Sequence, residues 1–203
     1  VAYISLDAAV GPSGHVTNTT GTQQVRAQKS LLGLNNTLDG SGITIAVIDS
    51  GIDSKHKSFA TTGKIKFSKD FTGENRTDDP WGHGTHVAAI AAGDGTPTSG
   101  AYEGIAPAAT LVNLRVLNSQ GVGKVSGVLA ALDWLIANKG TYGVDVVNMS
   151  LGTPAINSYE DDPICNAVRK LVDAGVVVVA AAGNNGKDEN HPSPPEHQSS
   201  SVH

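Results

Sequence analysis

Apolar and polar positions alternate in blocks along this chain of 203 residues. The run at 43–48 is short, apolar and followed by Asp49-Ser50-Gly51, the pattern of a buried strand that stops at a turn. Residues 64–71 alternate apolar with polar, as a half-exposed strand does. The alanine-rich stretch 83–92 predicts a helix stopped at Gly93. Residues 110–117 read as a third strand. From 124 to 138, Val125, Val128, Leu129, Leu132, Leu135 and Ile136 fall on one face of a helix that Gly140 would end. Residues 144–149 form a fourth strand. Asp162-Pro163 opens another helix, with Ile164, Val168, Leu171 and Val172 inward and Gly175 past its end. Residues 176–182 are a fifth, wholly apolar strand.

Strands alternating with helices imply right-handed crossovers and a mostly parallel sheet covered on both faces. The expected fold class is therefore α/β, a three-layer doubly wound domain. In such sheets a site lies beyond the carboxyl ends of the strands. Asp49, Ser150 and Asn184 follow strands one, four and five, so they are expected to share that edge. The chain divides into an irregular polar arm (1–40), the α/β domain (41–190) and a disordered tail (191–203). The tail's His191, His197 and His203 have nothing to preorganise them as metal ligands.

Composition narrows the function. A net charge of −5 argues against nucleic acid or an anionic membrane as partner. No apolar run is long enough to span a bilayer. The start carries no basic-then-apolar leader, so any secretion signal is expected to be already removed. The single cysteine, Cys165, has no internal partner and reads as a small packed residue of a helix.

The chemistry gathers at two stretches. Asp49 at a strand end can be held rigidly and partly out of water. His83 stands between Gly82 and Gly84 at the start of a helix, where the backbone can come close to a substrate. A serine hydrolase needs a base within reach of its nucleophile and an acceptor that fixes the base's tautomer. The run from Ile43 through Asp49-Ser50-Gly51 to Asp53, and the run from Asp78-Asp79-Pro80-Trp81 through His83-Gly84-Thr85-His86 to Ala88, together resemble the aspartate and histidine signatures of the subtilisin-like serine proteases. That resemblance makes Asp49 the orienting carboxylate, His83 the base and Ser50 a hydrogen-bonding neighbour of the carboxylate. Asn184 matches the family's oxyanion-hole asparagine, a donor typically worth about 3 kcal/mol in the transition state. Ser150, Leu151 and Gly152 match the segment that pairs with an extended peptide.

The third signature of the family, a Gly-Thr-Ser-Met-Ala run with the nucleophile, is missing. The only methionine is Met149, and Asn148 precedes it. The expectation is a truncated catalytic domain: a weak or altered hydrolase, acting on an ester more readily than a peptide, with Ser150 as the best substitute nucleophile. The alternatives are a non-catalytic peptide-binding pseudo-protease and a half-enzyme that self-associates or needs a complementing chain. His83 and His86 could instead be two metal ligands, but no third is evident, and His86 is expected to pack behind His83. Ser58 replaces an aspartate that commonly binds calcium in the family, and Ala89 replaces a glycine. No cofactor is expected, and calcium lacks its usual ligands. The expected partners are an extended peptide or small ester, and a second copy paired along the exposed fifth strand. The resemblance implies a secreted protein.

Overall fold

Alternate residues of a strand point to opposite faces, and here that alternation sorts the core into two layers. The computed structural model describes residues 16–26, 38–100, 102–152 and 158–183. Its strands are β1 (Thr44–Asp49), β2 (Ile65–Asp70), β3 (Thr110–Arg115), β4 (Val146–Met149) and β5 (Val177–Ala180). They form one sheet in the order β2-β3-β1-β4-β5, and every pairing is parallel. The helices are α1 (Val16–Thr19), α2 (Thr22–Arg26), α3 (His83–Ala92), α4 (Val125–Tyr142) and α5 (Pro163–Asp173).

On one face, Ala46, Ile48, Val112, Leu114, Val147 and Met149 pack against Val128, Leu132 and Leu135 of α4 and Val168 and Leu171 of α5. On the other, Ile45, Val47 and Leu111 meet Ala88 and Ala92 of α3. Gly84, Ala88 and Ala92 recur every fourth residue along α3, so its inner stripe is small and the helix lies close on the sheet. This is the expected three-layer α/β arrangement with one difference. The layer of α3 covers β1 and β3 but not β4 and β5. Register puts Val177 beside Val146 and Ile45, and Val179 beside Asn148 and Val47, on that same face. Val177 and Val179 are 59% and 51% exposed.

Several boundaries depart from the pattern. α4 runs through Gly140, because a helix tolerates an isolated glycine, and ends where Gly143 turns left-handed at φ 62°. Val125 and Val172, expected inward, are exposed; Val125 opens onto a cleft at the start of α4. Within the arm expected to be irregular, α1 and α2 are helical. Arg26 of α2 ties that arm to the domain, donating to Glu103 Oε2 at 2.8 Å and to the carbonyls of Gly104 and Ile105. α5 begins as the sequence predicts: Asp162 caps it, accepting from the amides of Ile164 and Cys165, and Pro163 takes the first turn. Cys165 is buried on that helix. No helix among the described residues is long and apolar enough to cross a membrane. The tail at 191–203 lies outside the described residues.

Candidate active site

Asp49 is the last residue of β1 and 1% exposed. His83 is the first residue of α3, with a side chain 44% exposed. The two meet through the ring: His83 Nδ1 lies 2.8 Å from Asp49 Oδ1 and 2.9 Å from Oδ2. An ionised carboxylate can only accept, so Nδ1 is the nitrogen that donates to it, and in the neutral ring Nε2 is the acceptor. The backbone makes the approach possible. Gly82 enters the helix at φ 89°. A Cβ on Gly84 would sit 2.2 Å from the Gly51 carbonyl and 3.1 Å from Asp49 Cβ. Gly84 thus lets α3 approach the aspartate loop.

A polar frame surrounds the pair. The Ser50 amide donates to Asp49 Oδ1 at 2.7 Å. The Ser50 hydroxyl donates to Asp79 Oδ1 at 2.7 Å and accepts from the Gly84 amide at 3.0 Å. Asp79 also accepts from the amides of Gly82 and Thr85. Burial pushes the Asp79 carboxyl up, but the hydrogen bonds from Thr85, Ser50 and Gly82 outweigh it and hold it below its ordinary value. Arg115, the register partner of Asp49 on β3, is fully buried. It donates to the Ser50 carbonyl, to Asp70 Oδ1, to Thr72 Oγ1 and to Glu74 Oε2. At Asp70 burial pushes the carboxyl up, and bonds from Thr72 and Asn75, with the charge of Arg115, bring it below its usual range.

Beside His83 opens a cleft of about 440 Å³. Ser150, Leu151 and Gly152 line it together with Gly121, Val122, Gly123 and Trp81. The sequence-predicted residues are thus partly brought together. Asp49 and His83 touch, and Ser150, Leu151 and Gly152 share their cleft. The Ser150 hydroxyl accepts from Asn148 Nδ2 at 2.8 Å, and no hydrogen bond joins it to His83. Asn184 lies outside the described residues. His86 is exposed, not packed behind His83, because its position on α3 faces away from the sheet. Among the described residues no group of three or more His, Cys, Asp or Glu is placed to hold a metal ion.

Sequence reasoning missed Asp79 and Arg115. Asp79 carried a signal, an acidic residue just ahead of a helix start. Arg115 carried a weaker one, a charge closing an otherwise apolar strand.

Comparison with known proteins bears on the whole arrangement. A model described as the Subtilase family matches residues 40–202. Subtilisin-like protease 6 of Trichophyton schoenleinii is 35% identical over 96% of this chain and 49% of its own length. Serine protease AprX of Bacillus subtilis (strain 168) is 36% identical over 79% of this chain and 37% of its own. The solved structure of Sphericase superposes with a TM-score of 0.66 at 35% identity, over 82% of this chain and 53% of that one. The chain therefore spans about half or less of the curated relatives it matches.

Proposed function

This chain belongs to the subtilase family of peptidase homologues, and on that premise we propose that it carries the acid–base half of a serine peptidase site. The observation that carries the reading is the contact of His83 Nδ1 with both oxygens of the buried Asp49, beside an open cleft. In this reading a serine hydroxyl attacks the carbonyl of an extended peptide or ester. Its proton passes to His83 Nε2, and Asp49 stabilises the imidazolium that forms. Asn184 donates to the oxyanion, and Ser150, Leu151 and Gly152 hold the substrate backbone. The nucleophile comes from residues that are not among these 203, on the same chain or another. The uncovered valines of β5 support a partner on that side, either the serine-bearing segment or a second copy of this chain. The site of action we propose is extracellular, as the subtilisin resemblance implies.

The 203 residues by themselves carry at most a weak esterase activity, with Ser150 or a water molecule as nucleophile. The test is hydrolysis of a short-chain p-nitrophenyl ester by the protein alone, by His83→Ala and Ser150→Ala variants, and by mixtures with a separately produced serine-bearing half of a relative. Activity that appears on mixing and vanishes with His83→Ala supports the half-site. Mixtures that stay inactive although the halves bind one another would sink it. The cleft favours a second reading, a peptide-binding module without catalysis, because it is open beside His83 while no hydrogen bond joins Ser150 to that ring. Peptide binding that survives His83→Ala, with no hydrolysis under any condition, is its signature.

A further inference from the structure

Every polar group of Ser50 is engaged. Its amide holds Asp49, its carbonyl takes Arg115 Nε, and its hydroxyl bridges Asp79 and the Gly84 amide. The hydroxyl has one proton, and Asp79 can only accept it, so the lone pair facing α3 is left for Gly84. Asp79 then takes the amides of Gly82 and Thr85. Three backbone N–H groups bracketing His83, at 82, 84 and 85, therefore end on one serine–aspartate unit. These are among the donors that the first turn of a helix leaves without internal partners.

We propose that Ser50 and Asp79 are a positioning pair that fixes the His83 ring on Asp49 and so selects its Nδ1-protonated tautomer. Neither residue lines the cleft; both act through the backbone. The same serine grips the carboxylate and the helix that presents the imidazole, so a shift of α3 relative to β1 must break a bond at Ser50. Arg115 secures the third side of that serine from a fully buried position. The inference rests on the acid–base reading of the Asp49–His83 contact, but its test requires no turnover.

The experiment uses the whole chain labelled with 15N-histidine, at about pH 8, where an ordinary imidazole is neutral. Nitrogen shifts give the tautomer ratio of His83, with the exposed His56 and His86 as internal references. Unfolding midpoints of every variant are measured beside it. Expected is a dominant Nδ1–H form in the parent chain. Its ratio falls about tenfold in Ser50→Ala and in Asp79→Ala, the weight of a hydrogen bond or so. Asp79→Asn, which keeps the oxygen facing Ser50, restores part of it and serves if an alanine variant does not fold. Thr61→Ala, which removes a hydroxyl bond to Asp94 Oδ2 away from the cleft, is expected to leave the ratio unchanged whatever its stability. Folded variants at Ser50 and Asp79 that keep the parent ratio would overturn the positioning role. A parent chain with no tautomer preference would overturn the acid–base reading as well, so the two failures are distinguishable.

Discussion

The face of the sheet that carries α3 holds two unlike regions. Over β1 and β3 it is closed: Ala88 and Ala92 cover Ile45, Val47 and Leu111, and at the strand ends Ser50, Asp79 and Arg115 are bonded to one another's surroundings. Over β4 and β5 the same face is open, with Val177 and Val179 more than half exposed. A parallel sheet normally has both faces covered, and over β5 one face of this sheet is not. The polar network around His83 does not depend on that open half. It is assembled by residues from 49 to 115.

The strongest way to break the closed region is Arg115→Met. It takes the buried guanidinium from Asp70, Glu74 and the Ser50 carbonyl, although Asp70 keeps Thr72 and Asn75 and Glu74 keeps Ser119, and loss of one partner of a buried ion pair costs up to about 3–5 kcal/mol. Urea unfolding would register this as a large drop in midpoint; a change within error would mean that water replaces the guanidinium freely. Gly84→Ala comes next. Its Cβ would meet the Gly51 carbonyl at 2.2 Å, so α3 must retreat, at about 1–3 kcal/mol. A crystal structure of that variant should show His83 Nδ1 withdrawn from Asp49.

Acid sharpens the comparison without mutation. Burial pushes the Asp94 carboxyl up, but bonds from Thr96 and Thr61 bring it from the ordinary 3.8 down to about 2. A carboxylate depressed in the folded state contributes fully above its unfolded value, and the contribution disappears as pH falls through the folded one. Asp70 and Asp79 are shifted in the same direction. Thermal midpoints followed by circular dichroism are therefore expected to fall from about pH 4 downward, and less steeply in Asp94→Asn. The smallest effect on stability belongs to the open region. Val177→Lys with Val179→Lys should shift unfolding by no more than about 0.5 kcal/mol, because both side chains are already in water. The same pair should abolish any self-association seen by sedimentation. Oligomers that persist in the double variant would place their interface elsewhere.

Which parts of this were legible follows from sequence distance. The five strands and three longer helices were readable because each signal is local: an apolar run, a periodic stripe, Asp162-Pro163 at a helix start. The helix containing Gly140 was cut short because glycine usually ends a helix, and nothing local says that Gly143 does so instead. The pairing of Asp49 with His83 came from motifs resembling a known family. The order β2-β3-β1-β4-β5 did not, because adjacency in a parallel sheet depends on which strands cross over. Ser50, Asp79 and Arg115 stayed hidden as a unit for the same reason: they lie 29 and 65 residues apart, and only the fold brings them together. An exposed edge at the fifth strand was expected from the missing segment, but the open face at Val177 and Val179 was not legible, since a wholly apolar strand reads as covered on both faces.

The two tryptophans have unlike surroundings. Trp81 is 56% exposed and lines the cleft, its indole lying against Gly121. Trp134 is stacked on Phe67 at 4.9 Å, inside a cluster with Tyr142 and under Lys69. Intrinsic fluorescence therefore has two channels. A soluble quencher reaches the first indole and leaves the second largely dark to it, so occupancy of the cleft can be followed as a change in the quenchable fraction while the stacked indole reports whether the scaffold beneath has melted.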